Sequence, residues 1–207
     1  MRPIAARGYT LPEALAVLAI LGIVLAMGLP RLGDWVAANR AQSAAGFYAE
    51  GLQLARAQAL THNSASRMVL VTHEGGAQPD WRVDICFPTP ATPCDDASGD
   101  WSTVSAAAEG DPEGAQGYTS LLRSATALPT SATLSVSVTP EDATAAYFTP
   151  TGWVNTAVAP RLERLTLAPA ADHAGSFATS AVVLTLAGAV TTCDPQAGAQ
   201  AARGCPP

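Results

Sequence analysis

The feature that most constrains this chain is an uncharged apolar run from Ala14 to Leu29, preceded by one acid, Glu13. A helix rises about 1.5 Å per residue, so residues 9–29 are long enough to cross the roughly 30 Å hydrocarbon core of a bilayer. A carboxylate in hydrocarbon costs several kcal/mol unless a partner neutralises it, which makes Glu13 a candidate functional residue. The alternative interpretation is that Glu13 lies among lipid headgroups and is merely tolerated there.

The eight residues before this segment carry Arg2 and Arg7 and no acid. A positive flank predicts that the N-terminus stays in the cytoplasm while the C-terminal body crosses the membrane. Three interpretations compete at this point. The run is a secretory signal cut near Ala26, a plain membrane anchor, or the N-terminus that remains after a short leader is cut off in front of it.

The sequence GYTLPE at residues 8–13, followed by the apolar run and Pro30, resembles the N-terminal signature of type IV prepilins and pseudopilins. The resemblance implies that a prepilin peptidase cuts between Gly8 and Tyr9 and methylates the new amine of Tyr9. It also implies that Glu13 attracts the N-terminal amine of a neighbouring subunit during filament assembly. The chain departs from the family in having Tyr9 where Phe is most common and Pro12 where an aliphatic residue is usual.

Two prolines fit this reading on physical grounds. If Tyr9 becomes the first residue, Pro12 lies among the first four residues of the helix, whose amides have no intrahelical acceptor, so proline costs no hydrogen bond there. Gly28 and Pro30 close the apolar run, and Pro30 predicts a kink or local melting that acts as a hinge. A simple helix stop at Pro30 is the alternative.

Downstream of the apolar run, the pattern predicts an amphipathic helix over residues 31–63 that packs on a head. We predict four segments: a leader at residues 1–8, a membrane and filament-core helix at 9–30, the amphipathic helix at 31–63 and a β-rich head at 64–207. The helical stripe is weak because many of its members are small, and small residues permit close approach of a sheet. The stripe consists of Leu32, Val36, Ala44, Phe47, Gly51 and Leu54. Asn63 and Ser64 are expected to end the helix.

Period-two alternation predicts strands in the head, and the region 88–131 is expected to be mainly loop. Residues 66–73 and 81–87 are expected to pair as a hairpin around Gly75 and Gly76. The further strand segments are residues 133–139, 145–149, 164–169 and 179–192. The fold class is therefore α+β, with one long N-terminal helix packed on an antiparallel β head.

The head extends the resemblance. Residues 54–71, FTPTGWV at 148–154 and LAGAV at 186–190 look like the H-type minor pseudopilin of type II secretion (GspH) and the FimT and FimU minor pilins. Gly152 is expected to occupy a turn with positive φ. Many FimT-like proteins carry a Gly-Arg motif in the last strand, and in some it serves DNA uptake. This chain has Gly188, Ala189 and Val190 at that place, which argues against a DNA-binding role.

The net charge of the chain also argues against DNA binding. From Arg31 onward the chain has nine Arg, no Lys and sixteen acids, a net charge of −7. An acidic body lacks the broad attraction for phosphates that drives nucleic-acid binding. We therefore expect no DNA partner.

Four cysteines, all downstream of the apolar run, predict two disulfides in an exported head. Three pairings are possible, and we predict the sequential one, Cys86–Cys94 and Cys193–Cys205. The spacing does not suit a zinc site. Asp95, Asp96 and Asp100 are candidates for Ca²⁺, although a solvated acidic loop is the simpler interpretation.

The remaining residues carry no recognisable catalytic pattern. His62, His73 and His173 are scattered, and no HExxH or GxSxG motif occurs. The four tryptophans, Trp35, Trp81, Trp101 and Trp153, are expected to be packing anchors, with Trp35 near the membrane surface. We predict no enzyme, catalytic residue, metal site or cofactor.

By this resemblance the protein is a minor pilin or pseudopilin of a type II secretion pseudopilus or a type IV pilus. Its expected partners are prepilin peptidase and other minor and major pilins or pseudopilins, and its expected location is the inner membrane with a periplasmic head, then the filament. The alternatives are a DNA-uptake pilin and a secreted enzyme released near Met27.

Overall fold

The computed structural model describes residues 10–72, 77–95, 98–198 and 200–206, except for the side chains of residues 29–31 and 34. Its dominant element is one helix, α1 (Leu11–His62), of 52 residues. The helix continues through residue 30, so the helix stop considered for Pro30 is wrong, as is local melting there, while a kink or hinge at this point stays a prediction. Asn63 ends α1 in the left-handed conformation, with its N–H bonded to the carbonyl of Ala59, as predicted.

The first sheet has the order β3-β2-β1-β5, and its strands are β1 (Ala65–Val71), β2 (Asp80–Cys86), β3 (Leu121–Arg123) and β5 (Ala145–Phe148). The hairpin of β1 and β2 is confirmed, with antiparallel register from Ala65 opposite Cys86 to Val71 opposite Asp80. Its predicted Gly75–Gly76 turn and His73 lie outside the described residues. Strand β3 was not expected, because it falls within the segment interpreted as loop.

The second sheet has the order β4-β6-β7-β8, and its strands are β4 (Leu134–Thr139), β6 (Arg164–Pro169), β7 (Ser180–Leu184) and β8 (Val190–Cys193). Strand β4 alternates as predicted, with Leu134 buried and its serines exposed. The prediction of one strand over residues 179–192 is wrong. A turn at residues 185–189 divides it into β7 and β8, which pair antiparallel.

The second half of α1 packs against both sheets, and the main core lies between them. The buried face of the helix consists of Ala41, Ala44, Ala45, Tyr48, Ala49, Gly51, Leu52, Ala55 and Ala59. The predicted stripe is right at Ala44 and Gly51, whereas Leu32 is exposed, and Val36, Phe47 and Leu54 are only half-buried. The expectation that small residues allow close approach is confirmed at Gly51, since a Cβ there would lie 2.8 Å from Cδ2 of the buried Trp81.

Each sheet also has an outer face, and a disulfide fastens a segment over each one. On the first sheet, Cys86–Cys94 and the half-buried Trp101 pack over Ala65, and Trp101 also packs near Ala145 and Tyr147. On the second sheet, Cys193–Cys205 holds the C-terminal segment against Ala181 and Val183. We call these segments the loop cover (residues 88–95 and 98–101) and the tail cover (residues 194–198 and 200–205).

Candidate assembly surfaces

The first half of α1 is the largest exposed apolar surface of the described chain. Residues 11–28 form a helix long and apolar enough to cross a membrane, and none of them is buried against the rest of the chain. Leu15, Leu18, Ile20 and Ile23 are each at least half exposed. A surface of this kind requires a lipid or protein environment, because water is a poor solvent for so large a contiguous apolar patch. The N-terminal helix is therefore suited to membrane anchoring.

The helix start places Pro12 and Glu13 as the sequence suggests. Pro12 is the second helical residue, where a missing amide breaks no intrahelical bond. Glu13 is exposed in the first turn, and its Oε2 accepts a long hydrogen bond of 3.4 Å from the backbone N–H of Thr10. The Gly8–Tyr9 junction, at which cleavage and methylation are expected, lies outside the described residues.

The four cysteines form the sequential pairs. The sulfurs are joined between Cys86 and Cys94 and between Cys193 and Cys205, with Cα–Cα distances of 5.9 and 4.9 Å. Two of the three Ca²⁺ candidates are described: Asp95 Oδ1 accepts the N–H and hydroxyl of Ser98, and Asp100 is exposed. Asp96 lies outside the described residues.

The tryptophans divide into three classes by exposure. Trp81 is fully buried and donates its Nε1–H to the carbonyl of Phe47 at 2.9 Å, so it is a packing anchor as predicted. Trp101 is half-buried, with the Arg67 guanidinium 4.2 Å above its ring. Trp35 and Trp153 are exposed, at 65% and 57%. The packing prediction is therefore wrong for Trp153, which lies on the head surface.

A buried charge cluster lies beneath the loop cover. The Asp84 carboxylate is inaccessible and accepts hydrogen bonds from Nε of Arg67 at 3.0 Å and Nε of Arg82 at 2.7 Å. The hydrogen bond to Asp84 raises the pKa of Arg82. Both guanidinium groups are bonded to one buried carboxylate, which supports a packing role for this cluster.

The two Thr-x-x-Gly sequences, at residues 149–152 and 185–188, form turns beside the last turns of α1. The positive φ predicted for Gly152 is confirmed at 76°, and Gly188 has φ 77°. Arg56 Nε donates to the Gly152 carbonyl at 3.1 Å, and a Cβ on Gly152 would lie 3.0 Å from Leu60. The sequence interpretation singled out Gly152 but missed Arg56, Leu60 and Leu186, although the repeated Thr-x-x-Gly spacing was a usable signal.

Comparison with known proteins bears on this architecture. The family model described as type II transport protein GspH matches residues 44–188, and the prokaryotic N-terminal methylation motif matches residues 5–29. No curated protein matches the sequence. Two crystal forms of the Pseudomonas aeruginosa type IV minor pilin FimU are similar in structure, with 16% and 15% identity and TM-scores of 0.39 and 0.40. The similarity covers 74% and 73% of this chain and 87% and 90% of the FimU chains.

The GspH match spans most of the helix half that packs on the head, strands β1 to β7 and most of the turn before β8. The methylation motif spans the exposed apolar helix and the residues before it. The expected α+β fold and the expected pilin resemblance are both confirmed, and this family consists of structural subunits rather than enzymes. Membership in it implies assembly with other pilins and processing by prepilin peptidase. The chain belongs to the GspH family of type IV pilin-like proteins.

Proposed function

We propose that this protein is a minor pilin or pseudopilin that is cut after Gly8, methylated on Tyr9 and incorporated near the tip of a type II secretion pseudopilus or type IV pilus during filament initiation. The observation that carries the proposal is the fully exposed apolar helix of residues 11–28, continuous with a helix half that is packed into a folded head. A cleaved secretory signal has no need of such continuity with the folded domain.

Before assembly, the protein is held in the inner membrane with a cytoplasmic N-terminus and a periplasmic head. The positive leader supports this orientation, and the two disulfides suit an oxidising compartment on the far side of the membrane. The apolar helix then exchanges lipid contacts for contacts with other pilin helices. Gly28 and Pro30 are the proposed hinge between the two halves.

Glu13 is the polar group that would pair the apolar helix with a neighbouring subunit when the helix leaves the lipid. Its carboxylate is exposed and its one described hydrogen bond, to Thr10, is long. In an apolar helix bundle, the methylated amine of a neighbouring subunit offsets the desolvation cost of this carboxylate, and the carboxylate offsets that of the amine. The proposal therefore assigns Glu13 to subunit assembly.

The alternative of a DNA-uptake pilin has less support. The last turns of α1 and residues 188–190 carry only two basic side chains, Arg56, which is bonded to the Gly152 carbonyl, and His62, whose ring packs against Tyr118. A net charge of −6 for the whole chain also opposes phosphate binding.

The test is mass spectrometry of the full protein recovered from membranes and from sheared filaments. The expected N-terminal peptide begins at an N-methylated Tyr9. A start near Met27 contradicts the proposal in favour of a cleaved secretory signal, and an intact Met1–Gly8 leader in the filament fraction contradicts processing.

A further inference from the structure

Three segments with exposed apolar side chains come together at the C-terminal end of α1: Leu60 lies against Gly152, and the Val154 N–H donates to the Leu186 carbonyl. Leu60 in the last turn of α1, Trp153 and Leu186 are 51%, 57% and 59% exposed. From residue 28 to residue 60 the helix advances about 48 Å, at 1.5 Å per residue. These side chains are therefore well beyond the reach of the lipid in which the first half of the helix is anchored. Together with Arg56 they form what we call the distal patch.

Two turns with the same hydrogen-bond scheme hold the patch rigid. The Thr149 N–H donates to the Trp153 carbonyl at 2.8 Å, and the Trp153 N–H donates to the Thr149 hydroxyl oxygen at 3.3 Å. Thr185 does the same with Ala189, at 2.9 and 3.1 Å. The turns are tied together by the Val154 N–H, which donates to the Leu186 carbonyl at 3.0 Å. Because their backbones are already ordered, Trp153 and Leu186 lose little further backbone entropy on binding.

The patch also holds a cation without a counter-charge. Arg56 is half-buried, its Nε donates to the Gly152 carbonyl, and it forms no ion pair with any described residue. It lines a groove of about 380 Å³ together with Ala57, Leu60, Gly188 and Val190. Arg56 is bonded to Gly152, the residue before the exposed Trp153. Tryptophan and arginine are enriched in protein-binding hot spots.

We propose that the distal patch docks the head of a different pilin subunit, which covers Trp153 and Leu186 with apolar side chains and places a carboxylate against Arg56. The proposal rests on the pilin function proposed above and names the surface that it uses. Burial would strengthen the attraction between the carboxylate and the Arg56 guanidinium. The apolar side chains would supply buried surface area, and the charge pair would fix the orientation of the two heads.

Other occupants fit less well. A symmetric contact between two copies would bring Arg56 against Arg56 and direct the two membrane anchors away from each other. DNA requires several phosphate contacts, and Arg56 is the single basic side chain of the patch. The partner is consequently a pilin head that continues the assembly away from the membrane.

The experiment places a photo-crosslinking amino acid at residue 186 of the full chain, produced in its own host. The control carries it at residue 104, since Val104 is 56% exposed but lies outside the distal patch, on the segment between β2 and β3. We expect an adduct from residue 186 with a second protein whose mature N-terminus is that of a processed pilin. Trp153→Ser should reduce this adduct at least about tenfold, and Val104→Ser should leave it unchanged.

Equal adducts from residues 186 and 104, or no adduct from residue 186, would overturn the proposal. So would an adduct with a second copy of this chain, with DNA or with a protein that is not a pilin. Filament incorporation of the unlabelled protein is measured in parallel. If the chain is processed and incorporated but residue 186 yields no pilin adduct, the patch proposal fails alone. If the chain is never processed, both proposals fail.

Discussion

Gly51 and Trp81 are in direct contact across the interface between helix and sheet, and a Cβ on Gly51 would lie 2.8 Å from Cδ2 of the indole. The ring has little freedom to retreat, because it is fully buried and its Nε1–H is bonded to Phe47. Gly51→Ala should therefore lower the free energy of unfolding by about 1–2 kcal/mol despite the better helix propensity of alanine. Urea unfolding of the full chain in detergent, followed by tryptophan fluorescence, measures the change.

The matched control is Gly46→Ala on the same helix. Gly46 is exposed, and a Cβ there would meet no atom within 4 Å. This change should raise the free energy of unfolding by up to about 1 kcal/mol. Equal effects of the two substitutions would show that propensity, rather than the Trp81 contact, decides the outcome.

Asp84→Asn should lower the free energy of unfolding by about 3–5 kcal/mol, because it leaves the guanidinium groups of Arg67 and Arg82 without their shared carboxylate. The control is Glu163→Gln, which removes a pair with Arg161 at 2.9 Å in which the glutamate is half exposed. That loss should stay below about 1 kcal/mol. A small effect of Asp84→Asn in the same urea titration would contradict the structural role of the cluster.

Tyr48 should make the head sensitive to alkali. Its hydroxyl is buried and donates to the Pro79 carbonyl at 3.0 Å; burial, followed by the nearby charge of Asp80, raises the pKa of the phenol. The unfolded phenol ionises near its ordinary pKa of about 10, so the unfolded state binds fewer protons above that pH. The contribution of Tyr48 is therefore fully present below pH of about 10 and falls as pH rises further.

Tyr48→Phe should lower the free energy of unfolding by about 1 kcal/mol at neutral pH, since one hydrogen bond is lost, and should flatten the decline above pH of about 10. Burial also raises the pKa of Tyr118, so some decline remains in this variant. Unfolding measured at several pH values compares Tyr48→Phe with Tyr118→Phe. An unchanged slope in both variants would contradict the assignment.

Glu13→Ala should leave membrane insertion intact and block entry into filaments, because the substitution removes the carboxylate but keeps the apolar helix. The measurement is the amount of protein in the membrane and sheared fractions. Glu50→Ala, an exposed acid farther along α1, should leave both fractions unchanged. Normal incorporation of the Glu13 variant would mean that the acid is only tolerated.

The double change of Cys193 and Cys205 to serine should lower the free energy of unfolding by about 2–3 kcal/mol, the loop-closure entropy of a short loop. It should also release the tail cover from Ala181 and Val183, which raises binding of an apolar dye. Changing Cys86 and Cys94 should have a similar cost. Dye binding equal to that of the parent would contradict the covering role of the tail.

How much the sequence predicts depends on how local each signal is. The apolar run with Glu13 and the alternation in β4 are local patterns, and both lead to the correct element. Strand β3 is three residues long and exists through its pairing with β2, so no local pattern reveals it. The turn before β8 is hidden because TLAGA carries no Pro, Asn or Asp, and Gly188 alone marks it.

The helix face was predicted only in part and the distal patch was missed, for different physical reasons. The buried face centres on Tyr48. Its ring is apolar but its hydroxyl is polar, so the residue can be buried only because the hydroxyl donates to the Pro79 carbonyl, a partner that the sequence pattern does not reveal. The distal patch joins residues 56–60, 153 and 186, and only the tertiary fold brings these distant segments together. Exposed Trp153 could not be distinguished from a buried tryptophan by composition.

The tail cover has a consequence for the order in which the head matures. Cys205 follows all eight described strands, so its bond to Cys193 closes only after every strand has been synthesised and delivered to the same compartment. A truncated chain that stops before residue 205 lacks this disulfide, so Ala181 and Val183 would be more exposed to solvent. Such an exposed apolar surface is a site that a protease or chaperone can recognise. The Cys193–Cys205 bond can therefore form only in a chain that extends through residue 205.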